Sequence, residues 1–185
     1  MIQARIPNFI DTSTLQLMNQ ELLNSSRWVY RTNFWRYYLV DNLQPYRESD
    51  PSTWYGNQKD TLYASLKSPW RELFDRVFEF AGSNFLLQRY ALTGQTQGQE
   101  QSMHPDTSVD LPGRYTSYLL YLNESWDPTW GGLTEFQKDS SSMHCEIPEP
   151  GKLVAFDSQA MHRGQAPSKS NVLRLSLVLH GKHIE

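Results

Sequence analysis

A histidine and a carboxylate lie two positions apart in segment 102–108, between two stretches with the composition of β-strands. In extended backbone, residues i and i+2 project from the same face, so His104 and Asp106 would point at one spot. An imidazole and a carboxylate are two of the three ligands of the 2-His-1-carboxylate site, which holds non-haem Fe(II) and leaves coordination positions open. A His-x-Asp pair is short enough to occur by chance. The hypothesis therefore depends on a further ligand downstream.

The best-placed candidate for that ligand is His162. It follows the strand-like segment 153–156 and a short polar turn, so it lies at the end of a strand, where functional residues concentrate. His144 follows a serine-rich stretch, and we expect it on the protein surface. We expect His183, in the C-terminal tail, to be solvated.

The last predicted strand, 172–180, has two different faces. One face is entirely leucine, which indicates that it packs on a helix or a second sheet. If the opposite face lines a barrel, it encloses the guanidinium of Arg174 and the hydroxyl of Ser176. An enclosed arginine needs a counter-charge, and its planar fork suits a carboxylate. The alternative is a solvated Arg174 on an open face, and the strand alone leaves both interpretations open.

The composition restricts the class of protein. A chain of 185 residues with 13% aromatic residues predicts one packed domain. A net charge of −3 without a Lys/Arg block gives no support for a nucleic-acid or acidic-lipid partner. We find no apolar run of membrane-spanning length and no signal-peptide core, and the single Cys145 excludes an intramolecular disulfide. We therefore expect a cytoplasmic protein without a membrane partner.

The order of predicted elements indicates the fold class. One helix is capped by Asp11 or Thr12 and runs to about residue 24; a second begins at Pro69, is capped by Ser68 and ends at Gly82. Residues 41–60 read as a long irregular connection. Short strands separated by Pro/Gly turns indicate a sandwich or jelly roll, and helices preceding strands indicate an α+β fold with helices against a β-core. The predicted strands are 2–6, 28–30, 35–40, 85–93, 114–123, 133–137, 152–156 and 172–180.

Glutamines alternate at positions 95, 97, 99 and 101, just before His104. A solvated loop is the first interpretation. A mobile lid over the site is the second.

With these residues in view, the chain resembles the iron(II)/2-oxoglutarate dioxygenases over about residues 87–182. It is most similar to the prolyl-hydroxylase type, which includes the oxygen-sensing prolyl hydroxylase domain enzymes. The segment 121–126, Tyr-Leu-Asn-Glu-Ser-Trp, followed by Gly131 and Gly132, is similar to the family's Tyr-Leu-Asn-x-x-Trp…Gly-Gly signature. Segment 150–157, leading to His162, also resembles the family. The resemblance implies a double-stranded β-helix (jelly-roll) core over about 85–182, within a single domain 1–185.

The resemblance also implies roles for individual residues. The metal ligands would be His104, Asp106 and His162. Arg174 would bind the distal carboxylate of 2-oxoglutarate, whose 1-carboxylate and keto oxygen chelate the metal. The remaining residues assigned to co-substrate binding are Tyr121, Ser176, Tyr90 and Gln88. For both tyrosines the alternative is an aromatic core position. The family's threonine four residues past the arginine is Val178 here, so the hydrogen bonding around the co-substrate differs from the family pattern.

The implied cofactors are Fe(II), 2-oxoglutarate and O2, and the resemblance leaves ascorbate open as another. The implied reaction is hydroxylation of an unactivated C–H bond, and the carboxylate of Asp106 favours hydroxylation over halogenation. We expect a small-molecule or peptide substrate, with a prolyl or other residue of a polypeptide as first choice. A free or carrier-bound amino acid or natural-product intermediate is the alternative. A non-catalytic metal-binding sensor is an alternative of another class, and an enclosed Arg174 argues against it.

Other aromatic and basic residues have two interpretations each. Trp54, Trp126 and Trp130 would suit a peptide or an apolar side chain if they surround the pocket; otherwise they belong to the core. Arg114 and Arg163 would bind an anionic substrate or, as we favour, are solvated.

Overall fold

The computed structural model describes residues 1–25, 28–31, 36–39 and 66–184. These residues are mostly β-structure with two helices, α1 (Thr12–Leu23) and α2 (Trp70–Ala81). The predicted irregular connection 41–60, with Trp54, lies outside the described residues. The strands are β1 (Ile2–Ile6), β2 (Trp28–Arg31), β3 (Arg36–Leu39), β4 (Phe85–Gln95), β5 (Arg114–Tyr121), β6 (Thr134–Gln137), β7 (Met143–Glu146), β8 (Leu153–Asp157), β9 (His162–Gly164) and β10 (Arg174–His183).

The helix boundaries follow from local capping. Helix α1 begins after Asp11, whose carboxylate accepts a hydrogen bond from the Thr14 backbone N–H at 2.9 Å. Helix α2 ends at Gly82, which has a φ of 92° that favours glycine. The predicted cap of α2 is wrong by one position. Pro69 occupies the N-cap position without a side-chain hydrogen bond, and Ser68 precedes it.

Two antiparallel sheets form the β-structure. The larger sheet has the order β1-β8-β5-β10-β4-β3-β2, and the smaller has the order β7-β6-β9. Strands β7 and β9 were not predicted, because runs of four and three residues are too short for a clear alternation.

Two clusters of buried side chains place the larger sheet between the helices and the smaller sheet. The leucine face of β10 packs with α1 and α2 in the first cluster, which confirms the two-faced strand. Each fully buried leucine contributes roughly 1.5–3 kcal/mol. In the second cluster, Phe136 of the smaller sheet packs on residues of the larger one. The opposite face of β10 therefore points toward the smaller sheet. The second cluster comprises Leu119, Tyr121, Phe136, Val154 and Phe156.

One asparagine holds the beginning of β10 in place. Asn123 accepts a hydrogen bond from the Leu175 backbone N–H at 2.8 Å and donates one to the Leu173 carbonyl at 2.7 Å. The backbone on both sides of Arg174 is thus bound by a single side chain. This contact gives the asparagine of segment 121–126 a structural role.

The tail histidine is buried, so its predicted exposure is wrong. His183 is the last residue of β10, and its imidazole contacts the Thr116 hydroxyl at 3.0 Å. The side chain of His144 is 42% exposed, which agrees with the predicted surface position. Its Nε2 lies 2.6 Å from the Glu146 carboxylate. No helix among the described residues is long and apolar enough to span a membrane.

Candidate functional site

Backbone pairing brings the three predicted metal ligands together. An isolated antiparallel bridge joins His104 to His162, and each backbone N–H donates to the other residue's carbonyl at 2.9 Å. The Asp106 N–H donates to the Ser158 carbonyl at 2.8 Å, which fixes the segment against the turn before β9. One possible ligand atom from each of His104, Asp106 and His162 lies within 4.8 Å of the other two.

Hydrogen bonds to the backbone orient both imidazoles. The Nδ1 atoms of His104 and His162 lie 2.9 Å from the carbonyls of Ser102 and Ala160, respectively. A carbonyl only accepts, so each Nδ1 carries the hydrogen and each Nε2 keeps a lone pair for a metal. The Nε2 of His162 lies 3.7 Å from Oδ2 of Asp106. Two neutral imidazole nitrogens and one carboxylate oxygen are a donor set that fits a divalent first-row metal with open positions.

The carboxylate of Asp106 is held from two sides. Its Oδ1 accepts from Nη2 of Arg89 at 2.8 Å, and its Oδ2 accepts from the Ser117 hydroxyl at 2.6 Å. Burial raises the pKa of Asp106, but a positive charge on His162 when that imidazole is protonated, the charge of Arg89 and the Ser117 hydrogen bond together outweigh that effect. The resulting pKa is below the ordinary value, so this carboxyl is ionised at neutral pH.

The guanidinium of Arg174 is buried between the two sheets. Its side chain belongs to a residue only 3% exposed, so the solvated interpretation is wrong. The Nε donates to the Gly132 carbonyl at 2.7 Å, Nη1 to Oε1 of Gln95 at 3.0 Å, and Nη2 to the Thr134 hydroxyl at 2.7 Å. These three acceptors are uncharged oxygen atoms.

Tyr121 and Ser176 lie beside this guanidinium, as expected. The Tyr121 ring centroid is 5.4 Å from Cζ of Arg174, and its hydroxyl lies 2.8 Å from that of Thr134. Burial raises the pKa of Tyr121 to about 12, so the phenol is neutral. The Ser176 hydroxyl lies 3.4 Å from Nη1 of Arg174 and 2.9 Å from the Thr93 hydroxyl.

The sequence-family model of the 2OG-Fe(II) oxygenase superfamily matches residues 85–180, just over half of the chain. The chain belongs to this superfamily. The matched segment contains all three candidate metal ligands and Arg174, so the resemblance drawn from the sequence is confirmed. A comparison with curated proteins gives no match.

Solved structures of this superfamily share the fold at low identity. A Pseudomonas putida prolyl-4-hydroxylase has a TM-score of 0.62 at 20% identity, with 98% of this chain and 92% of that chain covered. A Trichoplax adhaerens prolyl hydroxylase, in complex with a hypoxia inducible factor oxygen degradation domain peptide fragment, has a TM-score of 0.59 at 18% identity over 97% and 83%. A Burkholderia pseudomallei oxidoreductase of the 2OG-Fe(II) oxygenase family has a TM-score of 0.57 at 16% identity over 97% and 84%.

The structure places Tyr90 and Gln88 away from the Arg174 guanidinium. Tyr90 pairs with Leu179, on the helix side of the sheet, and its ring packs on Phe74 at 5.5 Å. Gln88 lies at the bulge in the pairing of β4 with β10. It is seven residues before Gln95, the residue of β4 that contacts Arg174. Seven residues span about 23 Å of extended strand, which is out of reach.

Three of the four alternating glutamines are buried, so the solvated-loop interpretation is wrong for them. Gln95, Gln99 and Gln101 are buried, and Gln97 is exposed. The prediction ended β4 at residue 93, whereas the strand runs to 95 and carries a side chain to Arg174. The glutamines recur every second residue, as residues on one face of a strand do, and they continue the alternation of Thr93 and Gln95. This pattern was the signal that could have extended the predicted strand. Thr134 lies in the predicted strand 133–137, but its contact with Arg174 was missed because it depends on how two distant strands face each other.

Gly132, the second glycine of the pair, lies between the Trp126 ring and the side chain of Arg174. The Trp126 indole donates to the Gly131 carbonyl at 3.2 Å and meets Trp130 edge-on at 5.5 Å. A Cβ at Gly132 would lie 2.8 Å from the Trp126 ring and 3.3 Å from Cδ of Arg174, so only glycine fits there. This contact explains the second glycine of the motif.

The sequence left two interpretations for Arg114 and Arg163, a contact with an anionic substrate or a solvated side chain. Arg163 forms an ion pair with Glu135 at 2.6 Å, so it is neither merely solvated nor free for an anionic substrate. Arg114 is exposed.

A buried network of polar side chains around His180 lies next to the segment that contains His104 and Asp106. The Nε2 of His180 lies 2.9 Å from the Thr107 hydroxyl, and its Nδ1 lies 3.0 Å from the Ser158 hydroxyl. The pKa of His180 is lowered to about 4, and burial of the imidazole is the main cause. The positive charge of Arg89 adds to this lowering, and the carboxylate of Asp106 opposes it more weakly. The sequence placed His180 on the same face as Arg174, but it gave no sign of this network.

The neutral state of His180 makes folding stability depend on pH. Its pKa in the folded chain is below the ordinary 6.5, so the unfolded chain binds the proton first as the pH falls. Stability present above about pH 6.5 is therefore lost toward pH 4, by about 2 kcal/mol between pH 7 and pH 5. Urea unfolding of the chelator-treated protein at both pH values should show a loss smaller by this amount in His180→Gln. Parallel losses in the two proteins would contradict the assignment.

Proposed function

We propose that this chain is an Fe(II)- and 2-oxoglutarate-dependent oxygenase that hydroxylates an unactivated C–H bond. One observation carries the proposal: a group of two histidines and one aspartate lies close to a buried arginine on the same side of the larger sheet. Strand β9 connects the two, since His162 is in the metal group and a Cβ at Gly164 would lie 3.4 Å from Nη1 of Arg174. These residues are two apart, about 7 Å of extended strand. A five-carbon dicarboxylate can span such a distance.

The metal would be held by Nε2 of His104, Nε2 of His162 and one carboxylate oxygen of Asp106. Bound there, Fe(II) would supply the oxidising chemistry that couples O2 and the decarboxylation of 2-oxoglutarate to C–H hydroxylation. The protein fixes the ligands in advance through the two Nδ1 hydrogen bonds and the grip of Arg89 and Ser117 on the carboxylate. Preset ligands lose little freedom when the metal binds.

The distal carboxylate of 2-oxoglutarate would bind to Arg174. A planar guanidinium forms short, charge-assisted hydrogen bonds with a carboxylate. The hydroxyls of Tyr121 and Thr134 lie beside it and supply neutral donors. We infer that Thr134 takes the place of the hydroxyl that the family carries where this chain has Val178.

Aromatic rings keep water away from one side of the metal group. The centroid of the Phe156 ring lies 4.7 Å from that of His162, and the Phe136 ring stacks on the same imidazole at 5.8 Å. Both phenylalanines are fully buried. An apolar wall strengthens electrostatic interactions in the site and limits side reactions with solvent.

Three broader predictions stand as part of this proposal. The facing sheets would form a double-stranded β-helix, with residues 1–185 as one domain. The protein would work in the cytoplasm. The substrate would be a prolyl or other residue of a polypeptide, and the two prolyl hydroxylases of similar fold support this choice, one of them in complex with a peptide. A free or carrier-bound amino acid or a natural-product intermediate is the second candidate.

The substrate class is tested by succinate formation. With Fe(II), 2-oxoglutarate and O2 present, a set of proline-containing peptides should raise succinate production above the substrate-free rate, and product mass should increase by one oxygen atom. The same peptides with alanine in place of proline are the matched controls. Stimulation by free amino acids alone would favour the second candidate.

The metal assignment is tested by His162→Ala, with His144→Ala as a control histidine outside the group. When Fe(II) and 2-oxoglutarate are added without oxygen, the wild-type protein and the control should develop a visible charge-transfer band. His162→Ala should lose both the band and Fe(II) retention, because one of three ligands is gone. A metal-only sensor would bind Fe(II) and give no band. Normal Fe(II) retention in His162→Ala would remove the assignment.

The role of Arg174 is tested by Arg174→Ala, with Arg163→Ala as the control. Loss of a charge-assisted contact costs roughly 1.5–3 kcal/mol, so the 2-oxoglutarate requirement should rise about 10- to 150-fold. The requirement for the prime substrate should change far less. Steady-state kinetics with each substrate varied separately measures both. An unchanged 2-oxoglutarate requirement would contradict the role.

A further inference from the structure

Gln95 is a buried amide that contacts the guanidinium directly. It is the last residue of β4, it is fully buried, and it pairs in register with Arg174 across the sheet. Its Oε1 accepts from Nη1 of Arg174 at 3.0 Å, and its Nε2 donates to the carbonyls of Gln99 at 3.0 Å and Gly164 at 3.1 Å.

These partners allow only one orientation of the amide. A guanidinium only donates and a carbonyl only accepts. Turning the amide over would place its NH2 group against Arg174 and its oxygen against two carbonyls. The two backbone carbonyls therefore force the amide oxygen toward the arginine, and the orientation follows from the contacts themselves.

The same amide connects three parts of the site. Gln99 belongs to the loop that precedes His104, and Gly164 is two residues after His162. The Gly164 backbone N–H in turn donates to Oε1 of Gln101 at 3.3 Å. A Cβ at Gly164 would lie 3.0 Å from Oε1 of Gln95 and 3.4 Å from Nη1 of Arg174. The loop, the metal-ligand strand and the arginine thus meet at Gln95.

We propose that Gln95 is a positioning residue for the co-substrate: its amide oxygen orients the Arg174 guanidinium toward the distal carboxylate. The inference deepens the proposed function and rests on it. A neutral oxygen fixes one edge of the fork without forming an ion pair. A carboxylate at the same position would compete with the bound dicarboxylate for that charge.

The test compares two 2-oxo acids that both chelate Fe(II) and differ at the far end. 2-Oxoglutarate has the distal carboxylate, and 2-oxopentanoate has a methyl group there. Anaerobic titration of the Fe(II)-loaded protein, followed by the charge-transfer band, gives a dissociation constant for each. The variants are Gln95→Met and Gln95→Glu, which keep the side-chain length, and the control is Gln97→Met, an exposed glutamine two residues away.

We expect Gln95→Met to weaken 2-oxoglutarate binding about tenfold and to change 2-oxopentanoate binding less than threefold. The preference for the dicarboxylate should therefore shrink. Gln95→Glu should reduce that preference further, because the added charge pairs with Arg174. Gln97→Met should behave as wild type, and Fe(II) affinity should be the same in all four proteins.

Equal weakening of both 2-oxo acids would show that Gln95 only supports the pocket, and an unchanged preference would show no role; either result overturns the proposal. If Gln95→Met does not fold, Gln95→Glu decides alone by the same preference. Failure of the proposed function looks different, since the wild-type protein would then give no band with either acid.

Discussion

The site depends on one electrostatic constraint, the burial of a full positive charge between two sheets. Arg174 is 3% exposed, and its guanidinium donates hydrogen bonds to neutral oxygens of Gly132, Gln95 and Thr134. Burial of a charge is costly without hydrogen bonds and a counter-charge. The protein supplies the hydrogen bonds from three separate segments. In the proposed function, the distal carboxylate of the co-substrate binds this guanidinium.

Much of the surrounding structure serves to hold that arginine in place. Asn123 binds the backbone on both sides of it, and Gly132 fits between the Trp126 ring and the aliphatic part of Arg174. The leucine face of β10 anchors the same strand in the helix-side core. A motif residue that looks functional in sequence, such as Asn123, therefore acts through the position of another side chain.

The two histidines of the metal group are positioned mainly by backbone hydrogen bonds. The bridge between His104 and His162 uses two reciprocal 2.9 Å hydrogen bonds, and each imidazole is oriented by a carbonyl only two residues away. Hydrogen bonds to backbone groups can form whatever side chains the neighbouring residues carry. They are compatible with the 16–20% identity that this chain has to solved structures of similar fold.

The sequence was informative where the physical signal is periodic. Alternation in 172–180 predicted both faces of β10, and the His-x-Asp spacing placed two side chains on one side. The signal was weaker for contacts that depend on register between distant strands. Tyr90, for example, faces the helices because it pairs with Leu179, and this register cannot be derived from the sequence. Gln95, Thr134 and the His180 network were missed because a buried polar residue resembles a surface residue until its partners are known.

The central claim is that His104, Asp106 and His162 hold a metal within reach of a dicarboxylate bound to Arg174. The most direct measurement is a crystal structure with Mn(II) and 2-oxoglutarate, recorded without oxygen at the manganese absorption edge. We expect one anomalous peak at about 2.0–2.3 Å from Nε2 of both histidines and from a carboxylate oxygen of Asp106. The ligand should extend from that peak to the guanidinium. A peak elsewhere, or a ligand whose distal carboxylate points away from Arg174, would contradict the claim.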